Sequence, residues 1–382
     1  MHWRRLAVIV ARTTAAVAVA VVLAFVAWRE TGQWRVAAQR RIDTADGIEV
    51  LEKVRLGGID QWISIRGRHA SNPVILYLHG GPGFPMMPFA HVFQTPWEEQ
   101  FVVVQWDQRG TGKTWHENDP ATVLPTMTHE RMLEDAHELT LYLRRKLGKD
   151  RIVIVAHSWG TFLGIPLVKR YPGLYYAYVG TGQVINVQEN ERVGYQRTLA
   201  VARERGHARA VEALEALAPY PDPVKGTSEP RRELRRWMRE LGLMVRGKSD
   251  RQILLEMLDA GLRSPDYTLA ENLVWIRRLD STYSRDALAA DIDRFDVGPL
   301  GYRFEVPVIL ALGRHDWQVP STIAAEYLER VEAPFKKLVW FEQSAHSPPS
   351  EEADRFHRML VEDVLPLTRR PAAGDTGARA LP

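Results

Sequence analysis

Apolar residues follow three different rhythms along this chain. From Leu6 to Trp28 they are nearly continuous, with Arg12 the one charge, and 23 residues at 1.5 Å each would reach about 34 Å, the depth of a bilayer core. Arg12 lies near one end, where its stem can snorkel to the headgroups, and Trp3 and Trp28 suit the two interfaces. A single-pass transmembrane helix over residues 6–28 is therefore predicted. The competing reading is a cleaved signal peptide, with Val22-Leu23-Ala24 at the cut. The run continues past that point without a small-x-small end, which favours an uncleaved anchor.

Beyond a polar stretch at 29–46, expected to be a linker, short β-branched runs alternate with helical spacing. The predicted strands are Ile48–Val54, Trp62–Ile65, Val74–Leu78, Phe101–Trp106, Ile152–Ala156, Ala177–Val179, Val308–Leu312 and Leu338–Phe341. Between them lie amphipathic stretches such as Met132, Leu139, Leu143 and Leu147, closed by Gly148. Such alternation implies an α/β fold with a mainly parallel sheet and helices on both faces. A third rhythm runs from 185 to 297, where strand texture vanishes and Arg, Glu, Leu and Ala dominate. It reads as a helical cap inserted into a core of two parts, 47–184 and 298–368, over the strand ends where such sheets bind ligands. Residues 369–382 read as a flexible tail.

Charge and composition sharpen this picture in two places. The 382 residues carry 50 Lys+Arg against 47 Asp+Glu. The excess sits at the N-terminus, where Arg4, Arg5, Arg12, Arg29, Arg35, Arg40 and Arg41 face only Glu30. The remainder is net acidic, without the basic face that nucleic-acid binding would need. The absence of cysteine removes disulfides, zinc ribbons and thiol chemistry. Arginines flank both ends of the apolar run, and the usual weight of a first helix places the folded part outside the cytoplasm.

Candidate chemistry clusters at strand ends. Ile152 to Gly160 reads I-V-I-V-A-H-S-W-G, a buried strand followed by a small-x-Ser-x-Gly turn into a helix. That is the nucleophile elbow, with Ala156 in place of its first glycine. A serine hydroxyl needs a base, and the base needs an acid to fix its tautomer. In this architecture they follow in the order Ser, Asp, His, each past a later strand. Asp316, in Gly313-Arg314-His315-Asp316, and His346, in Ser344-Ala345-His346-Ser347, stand at those two places. The segment His79-Gly80-Gly81-Pro82-Gly83 follows another strand and suits an oxyanion loop, the expected donors being the N–H groups of Gly81 and Trp159. Asp107 also ends a strand but precedes Ser158, and is expected to brace its own turn with Arg109. Gly112-Lys113-Thr114 mimics a phosphate loop, yet Asp107 occupies the position where that motif requires glycine. No metal-ligand spacing is present, and no cofactor is expected.

Taken together, HGGPG (79–83), WDQRGTGKT (106–114), AHSWGT (156–161), GRHDWQVP (313–320) and SAHSP (344–348) resemble the α/β-hydrolase superfamily, most closely its proline iminopeptidase branch. The resemblance covers residues 47 to 368. It implies a Ser158-His346-Asp316 triad, an acyl-enzyme and a small-molecule or short-peptide substrate. It also implies cap glutamates that capture a free α-ammonium group. The partial matches are Glu240 and Glu271, with Glu189 and Glu191 as alternatives, although such acids fit solvated helix faces as well. Two rivals remain: a membrane-anchored carboxylesterase or lactonase of the same fold, and a non-catalytic binding protein, which would be expected to have lost a triad member. Paired acids near Ser158 would favour the peptidase, and a wholly apolar pocket the esterase.

Overall fold

The computed structural model describes residues 2–222, 228–277 and 283–369; the predicted tail beyond Arg369 lies outside them. One eight-stranded sheet forms the centre: β1 Ile48–Leu56, β2 Ile59–Gly67, β3 Val74–Leu78, β4 Val102–Asp107, β5 Ile152–His157, β6 Tyr175–Thr181, β7 Val308–Gly313 and β8 Lys336–Phe341. Spatial order is β1-β2-β4-β3-β5-β6-β7-β8. The β1–β2 and β2–β4 pairs are antiparallel and every other pair is parallel. Gly57 and Gly58, both at positive φ, make the two-residue turn between β1 and β2, the geometry that suits strand twist.

Every residue of β3, β4, β5 and β7 is buried, as befits strands covered on both faces. Alternate side chains enter two separate cores. Leu76, Val104, Ile154 and Tyr178 pack with Met132, Leu139 and Leu163 of the helices on one face. Ile75, Val103, Val153 and Val179 pack with Trp97, Phe356 and Leu360 on the other. The predicted strands are all present, β3 at its predicted bounds, β4 shifted by one residue and the other six longer, because backbone pairing continues through polar residues such as Asp60 and Gln61, which face Arg55 and Val54.

Between β6 and β7 the described residues are mainly helical, with the longer helices at Val187–Glu204, Ala208–Glu215, Ser228–Glu240, Asp250–Leu262 and Leu269–Arg277. Part of this region has a core of its own around Tyr195, Leu214, Leu234, Trp237 and Met238. A second lobe packs Tyr267 and Trp275 against Met87 and Phe89 of the segment after β3.

The N-terminus departs from expectation. A single helix runs His2–Gln39, about 57 Å long. Its apolar part is long and apolar enough to cross a membrane, with mean hydropathy 2.3 and none of that window buried. Residues 29–39, read above as linker, continue the helix and dock on the second lobe. Arg29 donates to the Tyr267 carbonyl at 2.9 Å, Gln33 to the Ser264 carbonyl at 2.7 Å, and Arg40 pairs with Asp266 at 2.7 Å. Polar side chains that looked like solvated linker instead satisfy two carbonyls and one carboxylate of residues 264–267.

Candidate active site

Ser158 sits between β5 and the helix Gly160–Arg170 with φ of +52°, the one non-glycine residue at positive φ among the described residues. Such backbone is uncommon and costs energy, so the turn must be held from outside. The Ser158 amide donates to the Thr181 carbonyl of β6 at 3.0 Å, and the Thr161 amide returns to the Ser158 carbonyl at 2.8 Å. Gly160 has no freedom to be larger: a Cβ there would lie 2.0 Å from the Leu78 carbonyl oxygen.

At the ends of β7 and β8 the loops bring the partners in. His346 Nε2 lies 2.9 Å from Ser158 Oγ, and His346 Nδ1 lies 2.8 Å from Asp316 Oδ2. The other Asp316 oxygen accepts from the Val319 amide at 2.9 Å, which aims the carboxylate. With the Nδ1 proton donated to Asp316, Nε2 is left as an acceptor for the serine hydroxyl. Glu351 holds the histidine loop by accepting from the amides of Ala345 at 2.8 Å and Ser347 at 2.7 Å. Burial raises its carboxyl above the usual range. Behind the pair, His157 Nε2 is 3.0 Å from the His346 carbonyl. Burial, and next the charge of His346, pushes His157 down to about 3, so it donates to that carbonyl as a neutral ring.

Gly81 and Trp159 line the same cavity as Ser158. Neither amide N–H has a protein acceptor among the described residues, which leaves two donors for a developing oxyanion. Gln108 fixes both loops: its amide group donates to the His79 carbonyl at 3.2 Å and accepts from the Trp159 indole at 3.1 Å. The DQRG turn thus works mainly through Gln108. Asp107 does not brace Arg109 as expected; it accepts from the Lys113 amide at 2.8 Å and from the Tyr267 hydroxyl. Arg109 instead forms a fully buried pair with Asp135 at 2.8 Å.

The cavity over Ser158 has a volume of about 290 Å³. Neither glutamate matched by resemblance lines it. Glu240 is exposed at the helix end, where it lies 3.2 Å from His207, and Glu271 is tied to Lys113 at 2.7 Å. A partial motif match gave them a place in the chain but not a neighbour, and the neighbour decides. Of the alternatives, Glu189 pairs with Arg192 on the surface while Glu191 does reach the cavity. Sequence reasoning missed Arg231, Arg232, Arg235 and Arg239, which line it too. The spacing of four between Arg231, Arg235 and Arg239 in R-R-E-L-R-R-W-M-R was the available signal. Among the described residues no three His, Cys, Asp or Glu side chains converge as metal ligands.

A serine, histidine and aspartate in this arrangement on this sheet define an α/β hydrolase. The family described as alpha/beta hydrolase fold matches residues 73–353, and the chain belongs to it. A probable aminopeptidase, YbaC of Bacillus subtilis (strain 168), is 28% identical over 316 residues, spanning 82% of this chain and 95% of that protein. The proline iminopeptidase of Saccharolobus solfataricus is 22% identical over 313 residues, 81% and 90% of the two chains. In fold, the chain is similar to a proline iminopeptidase of Mycobacterium smegmatis, with TM-score 0.60 at 16% identity over 84% of this chain and 99% of the other. It is also similar to a proline iminopeptidase-related protein of Thermus thermophilus, with TM-score 0.56 at 20% identity over 84% and 99%. Within the family, the resemblance is to the proline iminopeptidases.

Proposed function

We propose that this hydrolase is a serine hydrolase working through an acyl-enzyme, and that it acts as an aminopeptidase on short peptides. The observation that carries the chemistry is the chain of contacts from Ser158 Oγ through His346 to Asp316, at 2.9 and 2.8 Å. His346 takes the serine proton as Oγ attacks the substrate carbonyl, and the oxyanion rests on the Gly81 and Trp159 N–H groups. The protonated ring then gives its proton to the leaving amine. Water enters, His346 takes its proton as the water oxygen attacks the acyl carbon, and the ring returns that proton to Ser158 Oγ as the Oγ–acyl bond breaks and the acid leaves. The peptidase reading is supported by the relatives named as aminopeptidases. One observation favours an esterase as the second reading: Glu191, buried in the cavity wall, is already held by Arg231 and Arg235.

The helix His2–Gln39 serves, in this reading, as an uncleaved anchor, with the catalytic unit on the extracytoplasmic side. Support comes from residues 29–39, which dock on the second lobe of the folded part, and from the length, apolarity and exposure of the segment before them.

The test uses the full chain in detergent, wild type and Ser158→Ala, against prolyl arylamides, short-chain esters and a serine-directed fluorophosphonate. Wild type labels and turns over and the variant does neither. A wild type that neither labels nor cleaves either class refutes the hydrolase mechanism. Ester turnover alone retires the aminopeptidase.

A further inference from the structure

The free-amine reading needs acids over the nucleophile, and the chain supplies mainly arginines. Arg231, Arg232, Arg235 and Arg239 line the cavity that contains Ser158, against the carboxylates Glu191 and Asp286. Arg231, Arg235 and Arg239 recur every four residues on the helix Ser228–Glu240, which puts them on one face. Glu191 is 4% exposed at its side chain and both its oxygens are occupied. Oε1 accepts from Arg231 at 3.2 Å and from Arg235, and Oε2 accepts from the Tyr220 hydroxyl. An incoming ammonium would have to displace two guanidinium groups to reach it. Glu191 is better understood as the strut that holds those groups at the cavity wall.

Two of the arginines keep donors to spare. Arg235 uses one N–H on Glu191 and another on the Met238 sulfur at 3.2 Å, out of the five a guanidinium carries. Arg239 has a loose pair with Asp250 at 3.8 Å, both side chains being half exposed. They stand one helical turn apart, a spacing that lets both reach one planar anion. We infer that the cavity selects substrates bearing a free carboxylate, bound by Arg235 and Arg239 while Ser158 attacks a carbonyl of the same molecule. This rests on the serine hydrolase reading above and adds the substrate's charge. The carboxylate belongs either to the leaving group, as the C-terminus of a dipeptide does, or to the acyl group, as in a hemiester of a dicarboxylic acid.

Two matched substrate pairs test it on the full chain in detergent at low ionic strength. One pair is prolyl-alanine and prolyl-alaninamide; the other is the p-nitrophenyl hemiester of glutaric acid and p-nitrophenyl butyrate. The expected result is a preference of at least about tenfold in kcat/KM for the charged member of one pair, weakened by salt. The pair that shows it tells which side of the scissile bond carries the charge. Arg239→Gln and Arg235→Lys reduce that preference about tenfold, through KM. If Arg235→Lys folds poorly, the wild-type comparison and the more exposed Arg239→Gln still decide. Equal rates within both pairs, or no turnover of the four by a protein that fluorophosphonate labels at Ser158, overturns the carboxylate site and leaves the serine hydrolase standing. Variants that lower both members of a pair alike also overturn it. Failure to label and to cleave removes the hydrolase reading itself.

Discussion

Removing residues 29–41 discriminates a docked strut from a linker. Consider two soluble fragments, one starting at Arg29 and one at Ile42. The shorter loses the Arg29 and Gln33 bonds to the Tyr267 and Ser264 carbonyls, at 2.9 and 2.7 Å, and the partner of Asp266 at 2.7 Å. It also loses the Arg40 carbonyl that accepts from Arg66. Arg40 and Asp266 are 4% and 14% exposed at their side chains, so this is a buried pair. Removing one member of a buried pair typically costs about 3–5 kcal/mol, and a charged bond to a carbonyl about 1.5–3 kcal/mol. Water reaching the vacated face returns part of this, which leaves a loss of about 4–6 kcal/mol. At roughly 2 °C per kcal/mol for a chain of this size, the melting midpoint falls by about 8–12 °C. Differential scanning calorimetry reads the midpoint, and hydrogen exchange over residues 263–271 reads where the loss is felt. Coincident midpoints with equal protection of that segment would refute the docked strut and restore the linker.

Three further outcomes follow from the same geometry. Asp316→Asn keeps the fold but favours the wrong His346 tautomer, so kcat falls by about 10³–10⁴ at neutral pH; a loss under tenfold on ester or arylamide substrates would contradict the assigned acid. Gly160→Ala forces a methyl to 2.0 Å from a backbone oxygen that cannot swing away, and should cost about 3 kcal/mol in urea unfolding; a change within about 0.5 kcal/mol, in the range of ordinary surface substitutions, defeats that account. Asp107, raised to about 7 by burial, holds a proton in the folded protein at pH values where the unfolded chain has released it. Its contribution to stability is therefore full below about pH 4 and declines as pH rises through 7, by up to about 1.4 kcal/mol per pH unit. The stability of wild type relative to Asp107→Asn should fall across that window, and a pH-independent difference would show that Asp107 is ionised throughout.

Legibility in the sequence depended on how local the determining physics was. The strands β3, β5 and β7 were readable because burial on both faces demands an unbroken apolar run. Ser158 and Asp316 were readable because each follows such a run, and His346 because it follows the half-exposed β8 at the same sheet end, where this architecture gathers side chains. The cap acids were not, since Glu271 and a cavity-facing glutamate have the same helical period and only the tertiary approach of Lys113 distinguishes them. The segment 29–39 misled for a related reason. Arg29, Gln33 and Arg40 are polar, and polarity signals solvent unless acceptors more than two hundred positions away, here two carbonyls and the Asp266 carboxylate, arrive to take their protons.

Those long-range partners converge on one short motif. At one end of residues 106–114, Gln108 bridges the oxyanion loop and the indole of Trp159, fixing the two amides proposed to receive the oxyanion. At the other end, the Lys113 ammonium reaches Glu271 at 2.7 Å and the Asp266 carbonyl at 3.1 Å, fixing the lobe on which the N-terminal helix docks. Lys113 also lies 4.6 Å from the centre of the Trp62 ring on the sheet, so the ammonium is clamped from core and cap together. The docked helix, the second cap lobe and the oxyanion loop are therefore joined through a few buried contacts. Lys113→Met, which removes the ammonium but keeps most of the stem, would take from the motif its hold on Glu271 and the Asp266 carbonyl while leaving the contacts of Gln108 in place.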